Sequence, residues 1–170
     1  YISSPYDSWR DYFSMYINKV INQIQIEDSE LVQTLQDEFE KRESVIPHTP
    51  KYSAVCLPDL RPDNVLIDEQ YTLSGVFDVE RADVGDVGWM LVSTVYLHTN
   101  VTDVPEGVIR SAVIDGFGWW PSEELEEVYE LAMVAKELRA IHIWYSEESV
   151  REEKIEELRK YVYSLNNLKM

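Results

Sequence analysis

The stretch that decides the fold is Leu57-Pro58-Asp59-Leu60-Arg61-Pro62-Asp63-Asn64, with its continuation to Val76-Phe77-Asp78-Val79-Glu80. Asp59 and Asn64 stand five positions apart in a turn stiffened by Pro62, whose ring fixes φ. Residues 64–68 and 72–78 are short apolar runs joined by the tight polar connection Asp68-Glu69-Gln70, and together they predict a β-hairpin over 64–78. Residues 52–57 form a third apolar run, suited to a buried strand that leads into the Asp59 turn. Asp59, Asn64 and Asp78 therefore fall at the ends of neighbouring strands, where three oxygen-bearing side chains can converge on one point.

Outward from this centre the pattern is helical. Trp9, Tyr12, Phe13, Tyr16, Ile17, Val20, Ile21 and Ile24 recur at steps of three and four, which predicts a helix over 8–25. Asp28 and Ser29 can cap a second helix with Leu31, Leu35 and Phe39 on one stripe. Pro47, His48 and Pro50 break the periodicity. Beyond the hairpin, Gly85 and Asp86 lead into a helix over 87–98. Pro105 and Glu106 open another, expected to stop at Asp115-Gly116. Pro121 and Ser122 open a long helix whose buried stripe is Leu125, Val128, Tyr129, Ala132, Ala135, Leu138, His142 and Tyr145. A last helix carries Ile155, Leu158, Val162 and Leu165. Strands and helices are segregated, which excludes a doubly wound βαβ fold.

Composition narrows the function. Of 170 residues, 45% are apolar and 12% aromatic, enough for a packed core and too many for a disordered chain. Fifteen basic residues face 32 acidic ones, a net charge of −17. Such a chain repels nucleic-acid phosphates and anionic membrane surfaces, so no nucleic acid and no membrane are expected as partners. A cationic small-molecule substrate or a basic partner is favoured, and the blander reading is that the acid only keeps the protein soluble. The single cysteine, Cys56, has no internal partner for a disulfide and points to a reducing, cytoplasmic setting. No apolar run is long enough to span a bilayer, and the first residues lack the pattern of a signal peptide. The sequence starts at Tyr1, which reads as processing or as a piece of a longer reading frame.

The convergent donors suit phosphoryl transfer. The migrating group is strongly anionic and must be held in line with its acceptor. A carboxylate orients and deprotonates the acceptor hydroxyl, while an amide and a second carboxylate hold magnesium beside the nucleotide phosphates. Magnesium prefers oxygen ligands and keeps several waters, so one Asp and one Asn suffice from the protein. The five-residue step from Asp to Asn is also that of the protein-kinase catalytic loop. The whole run LPDLRPDNVLIDEQYTLSGVFDVERADVGDVGWML, residues 57–91, resembles the catalytic core of the aminoglycoside phosphotransferase and choline kinase-like family. The segments VIDGFG and AKELRAIHIWY resemble that family's later helices more loosely.

The resemblance implies an α+β, mostly helical fold: the C-terminal lobe of a protein-kinase-like fold with a small central β-hairpin and strand set. It implies a phosphotransferase that moves the γ-phosphoryl group of ATP, or of another nucleoside triphosphate, to a hydroxyl of a small molecule. Aminoglycosides and other amine-bearing alcohols are the implied acceptors. Asp59 would be the catalytic base, Asn64 and Asp78 the Mg2+ and nucleotide ligands, and Asp86 a structural support. Nothing before Asp59 matches the family's N-terminal nucleotide-binding lobe. Residues 1–170 are therefore expected to be one domain, the C-terminal lobe, inactive by itself.

The sequence departs from the family at Leu57 and Pro58, where the family carries His-Gly, and at Met90, where an acidic residue is common. Leu57 cannot make the hydrogen bond with which that His orders the loop, and Pro58 lacks a backbone donor. A second reading follows, a catalytically weak kinase-like module that binds nucleotide or a partner. A third, a purely helical interaction domain, leaves the three oxygen donors unexplained.

Blander readings stand beside the others. Arg61 reads first as a structural ion pair with Asp63 or Glu80 and second as a phosphate contact. Cys56 reads as a small buried hydrophobe. His48, His98 and His142 lack zinc-ligand spacing, and His142 reads as packed. Trp119 and Trp120 read as core packing, with a substrate cleft as the alternative. Glu123, Glu124, Glu126, Glu127 and Glu130 read as a solvated face at a helix start; the resemblance adds that some of them, with Asp115, would contact substrate amines.

Overall fold

The computed structural model describes residues 6–57, 60–79 and 82–167. In order they form α1 (Trp9–Ile21), α2 (Ser29–Arg42), β1 (Ser53–Cys56), β2 (Val65–Ile67), β3 (Leu73–Val76), β4 (Asp83–Asp86), α3 (Val87–Val101), α4 (Glu106–Phe117), α5 (Glu123–Trp144) and α6 (Glu148–Asn167). Short 3-10 turns lie at Glu43–Val45 and Pro62–Asn64. The fold is α+β and mostly helical, with two small antiparallel sheets. Among the described residues, no helix is long and apolar enough to cross a membrane. The chain divides into two compact units, one made of Tyr1–Thr49 with Leu131–Met170, the other of Pro50–Glu130.

The first unit is helical. Ser8 caps α1 by accepting the Asp11 N–H at 3.1 Å. Asp28 caps α2 by accepting the Leu31 N–H at 2.9 Å, and its second oxygen receives Arg159 of α6 at 2.6 Å. The Leu31 N–H and the Arg159 guanidinium outweigh burial and hold the Asp28 carboxyl below its usual range. Phe13, Ile17, Leu31, Leu35 and Phe39 are buried here, as are Leu158 and Val162 of α6. Residues 131–138 of α5 are buried on every side, as expected of a helix that forms a core rather than a surface. Glu137, buried within that segment, accepts the Tyr145 hydroxyl at 2.6 Å and faces Lys154 at 3.6 Å. A buried carboxylate needs such partners.

The second unit holds the strands. β1 pairs antiparallel with β4 in the register Ser53↔Asp86, Ala54↔Gly85, Val55↔Val84, Cys56↔Asp83. β2 pairs antiparallel with β3, Val65 opposite Val76, as the hairpin reading expects. α3 begins as β4 ends and packs on β1, β4 and α4.

Several expectations are corrected. Strand β4 was not expected. The 52–57 run is not a buried strand: β1 covers Ser53–Cys56 and only Cys56 is buried, while Val55 is 66% exposed opposite Val84 at 67%. A two-stranded sheet has too little surface of its own to bury both faces. α1 stops at Ile21 because Asn22 caps it, and the next two amides, of Gln23 and Ile24, turn back to Val20 and Ile21 at 3.0 Å. α3 runs three residues past His98. α4 ends at Gly118, not Gly116; Gly118 takes φ 76°, a left-handed conformation open to glycine, and its N–H reaches the Ile114 carbonyl at 2.7 Å. His142 is exposed, with Nε2 at 3.2 Å from the Gln25 carbonyl.

The hairpin loop stores local strain. Asp68 Oδ1 accepts the N–H groups of Gln70 at 2.9 Å and Thr72 at 2.8 Å. Tyr71 closes the turn at φ 60°, and its side chain is 88% exposed. A left-handed bulge position normally takes glycine. Tyr71→Gly should therefore raise unfolding stability by about 1 kcal/mol, read by urea denaturation; a loss of stability would show that the exposed ring makes contacts that matter more than the backbone.

Candidate functional site

The approach to the site is built from backbone bonds. Leu60 N–H reaches back to the Leu57 carbonyl at 3.1 Å, and Asn64 N–H to the Arg61 carbonyl at 2.9 Å. Pro62 occupies the first position of the 3-10 turn Pro62–Asn64, where its missing N–H costs nothing. Arg61 Nε lies 3.1 Å from Asp63 Oδ1, the structural ion pair expected for it. Asp59 and Pro58 lie outside the described residues, as does Glu80.

Asn64 is buried at 8% exposure and begins the hairpin. Its carbonyl accepts the Phe77 N–H at 3.1 Å, one step beyond the Val65↔Val76 pair. Asn64 and Asp78 consequently stand at the same open end of the hairpin. Asp78 is exposed and adopts φ 59°. Asp tolerates the left-handed region better than most residues, yet the conformation carries a cost. Residues held this way cluster at functional sites. Both side chains offer the hard oxygen donors that magnesium prefers, so the donor chemistry fits that ion. Among the described residues, no group of three or more His, Cys, Asp or Glu side chains is arranged to hold a metal.

Asp86 ties the surrounding frame together. It ends β4, caps α3 by accepting the Gly88 N–H at 2.7 Å, and is only 1% exposed. Burial pushes its carboxyl above the usual range, against the opposing pull of the Gly88 N–H and the Tyr129 hydroxyl. Gly88 is closely approached on three sides. A Cβ there would stand 3.1 Å from Asp86 Oδ1, 3.3 Å from the Tyr129 ring and 3.4 Å from Trp119. Cys56 is buried as expected, its Sγ 3.5 Å from the carbonyls of Ala54 and Asp86.

The tryptophans are half-buried and already engaged. Trp119 packs edgewise on Tyr52, centroids 5.1 Å apart, with Lys51 Nζ 5.6 Å from its ring centre. Trp120 Nε1 donates to Glu126 at 2.8 Å, and Arg110 stacks 5.1 Å over its ring. Glu126 also pairs with Arg110 and is buried. It is therefore not part of a solvated face, unlike Glu123 and Glu124, which are exposed. The Glu126–Arg110–Trp120 cluster had no local signal beyond the charges themselves. Equally invisible in the sequence is a contact from α3: His98 Nε2 lies 3.1 Å from the Leu60 carbonyl, across 38 positions.

Comparison with models of protein families matches residues 9–131 to the phosphotransferase enzyme family. The match spans well over half of the chain and includes Asp59, Asn64, Asp78 and Asp86. It agrees with the resemblance of residues 57–91 to aminoglycoside phosphotransferases and choline kinases. No curated protein matches the chain.

Asp86 yields a pH prediction. Its folded pKa lies above the ordinary 3.8, so between the two values the folded state holds the proton more firmly than the unfolded state. Stability from this group falls as pH rises through that window. Urea denaturation across pH should show the wild type losing stability relative to Asp86→Asn as pH climbs above 3.8. A difference that moves the other way would mean that the ionised carboxylate is the better-held form.

Proposed function

This chain belongs to the phosphotransferase enzyme family, and we propose that it carries the catalytic loop of a kinase that phosphorylates a hydroxyl of a small, cationic molecule at the expense of ATP or another nucleoside triphosphate. The observation that supports this reading is the hairpin end: the Phe77 N–H bonds to the Asn64 carbonyl, one step beyond the Val65↔Val76 pair, so Asn64 and Asp78 both stand at the open end of the hairpin.

In this reading Asp59 accepts the proton of the acceptor hydroxyl and orients its oxygen for attack. Asn64 and Asp78 would hold magnesium. When bound, that ion neutralises charge on the nucleotide phosphates. The Asn64 residue is held by its burial and by both of its backbone bonds. Asp78 has its backbone committed to a costly conformation and presents its carboxylate from an exposed position. The net charge of −17 attracts an amine-bearing acceptor over an anionic one. A single buried cysteine suits a cytoplasmic setting.

The strands also support a covering element. Val55, Val84, Leu66, Ile67 and Leu73 are each more than half exposed. Exposed apolar side chains on both small sheets suit a covering element. We propose that a nucleotide-binding lobe closes over them and that residues 1–170 do not turn over alone. Leu57 and Pro58 favour a second reading, in which the same module binds nucleotide with little or no transfer.

The test uses the full-length protein containing this segment, with magnesium-ATP and a panel of amino sugars, choline-like alcohols and amino alcohols. Mass spectrometry should detect a product heavier by one phosphoryl group. Asp59→Asn should lower kcat by about 10²–10⁴-fold with nucleotide binding intact; equal turnover in that variant contradicts its role. Asp78→Ala should weaken magnesium-dependent nucleotide binding by at least about ten-fold, the loss already seen for groups behind metal ligands. Binding without product in the wild type moves the assignment to the second reading.

A further inference from the structure

We infer that His98, on α3, is a positioning residue that fixes the Asp59 loop through the carbonyl of Leu60. The inference rests on the proposed role of Asp59, the residue immediately before Leu60. Both backbone polar groups of Leu60 are committed: its N–H goes to the Leu57 carbonyl at 3.1 Å, and its carbonyl meets His98 Nε2 at 3.1 Å. The first bond joins Leu60 to Leu57, and the second ties Leu60 to a helix 38 positions along the chain.

The chemistry fixes the proton. A carbonyl oxygen only accepts, so Nε2 must carry the hydrogen. The contact is therefore a donor tether from the ring to the backbone. The helix that bears it is itself anchored at both ends. Asp86 caps its start, and the Thr102 hydroxyl and N–H both donate to the His98 carbonyl, at 2.8 and 3.1 Å. A half-buried ring on the last turns of such a helix can hold a neighbouring backbone with little loss of side-chain freedom. Leu57, at the other end of the turn, has no side-chain donor for this task, so the ordering comes from a residue far along the chain.

The test uses the full-length protein and has a readout independent of transfer. In the wild type, nitrogen-15 NMR should find the His98 Nε2 proton present and protected from solvent; an Nδ1–H tautomer overturns the inference. Hydrogen exchange then follows the Leu60 amide. His98→Leu should raise its exchange by about five- to ten-fold, the scale of one net hydrogen bond, with the amides of β2 and β3 unchanged. His98→Gln, which keeps an N–H donor at similar reach, should restore protection. Unchanged exchange in His98→Leu, or a rise that His98→Gln leaves in place, overturns the tether. In the transfer assay His98→Leu should lower kcat with the KM for magnesium-ATP unchanged, and His98→Gln should recover it. If the wild type transfers nothing, the phosphotransfer reading fails by itself, and the NMR and exchange results still decide whether His98 holds the loop.

Discussion

The Asp86 carboxylate is almost wholly out of water, and the second unit is arranged around it. It sits where β4 becomes α3, accepts the Gly88 N–H, and receives the Tyr129 hydroxyl from α5. Its backbone pairs with Ser53 at the start of β1. One residue thus fixes the strand that leads to Leu57 and the helix that reaches back to Leu60. Burying a carboxylate is unfavourable unless its oxygens are met. Here they are met by groups from two helices, which ties the local geometry to the tertiary packing.

The catalytic candidates inherit their order from this frame. β1 delivers the chain to Leu57, the turn closes at Leu60, and the 3-10 turn at Pro62–Asn64 launches the hairpin. The hairpin returns the chain to the Asn64 end, where Phe77 bonds to Asn64 and Asp78 follows. Little of this geometry depends on a large hydrophobic interior, since most apolar side chains of the strands are exposed. It depends on short-range turns and on a few bonds to α3. The extensive core lies instead in the other unit, around residues 131–138.

What could be read in the sequence was local. The hairpin over 64–78 was legible because apolar runs flanked a polar connection, and the structure pairs Val65 with Val76. The Asp28 cap was legible because an acidic residue preceded a periodic stripe, and Asp28 accepts the Leu31 N–H. The family was legible because Asp59, Asn64 and Asp78 carry joint spacing, and the family match covers all three. What escaped was non-local. β4 is made of Asp83-Val84-Gly85-Asp86, of which only Val84 favours a strand, and exists because β1 pairs with it. Gly116 and Gly118 look alike in sequence, and only the backbone distinguishes the left-handed one. The packing read for His142 failed because the apolar stripe of α5 ends before it, at Ile141. The contact between His98 and Leu60 leaves no pattern in either segment.

The proposed phosphotransfer needs the hairpin's open end to act as a cation site beside a nucleotide. The most direct measurement is a manganese titration of the nitrogen-15-labelled full-length protein with nucleotide present, read as paramagnetic broadening. The Asn64 side-chain amide and the backbone amides of residues 77–79 should broaden first, at substoichiometric metal. Broadening that begins on exposed acidic positions such as Glu123, Glu124, Glu152 and Glu153, with Asn64 still sharp, would contradict it.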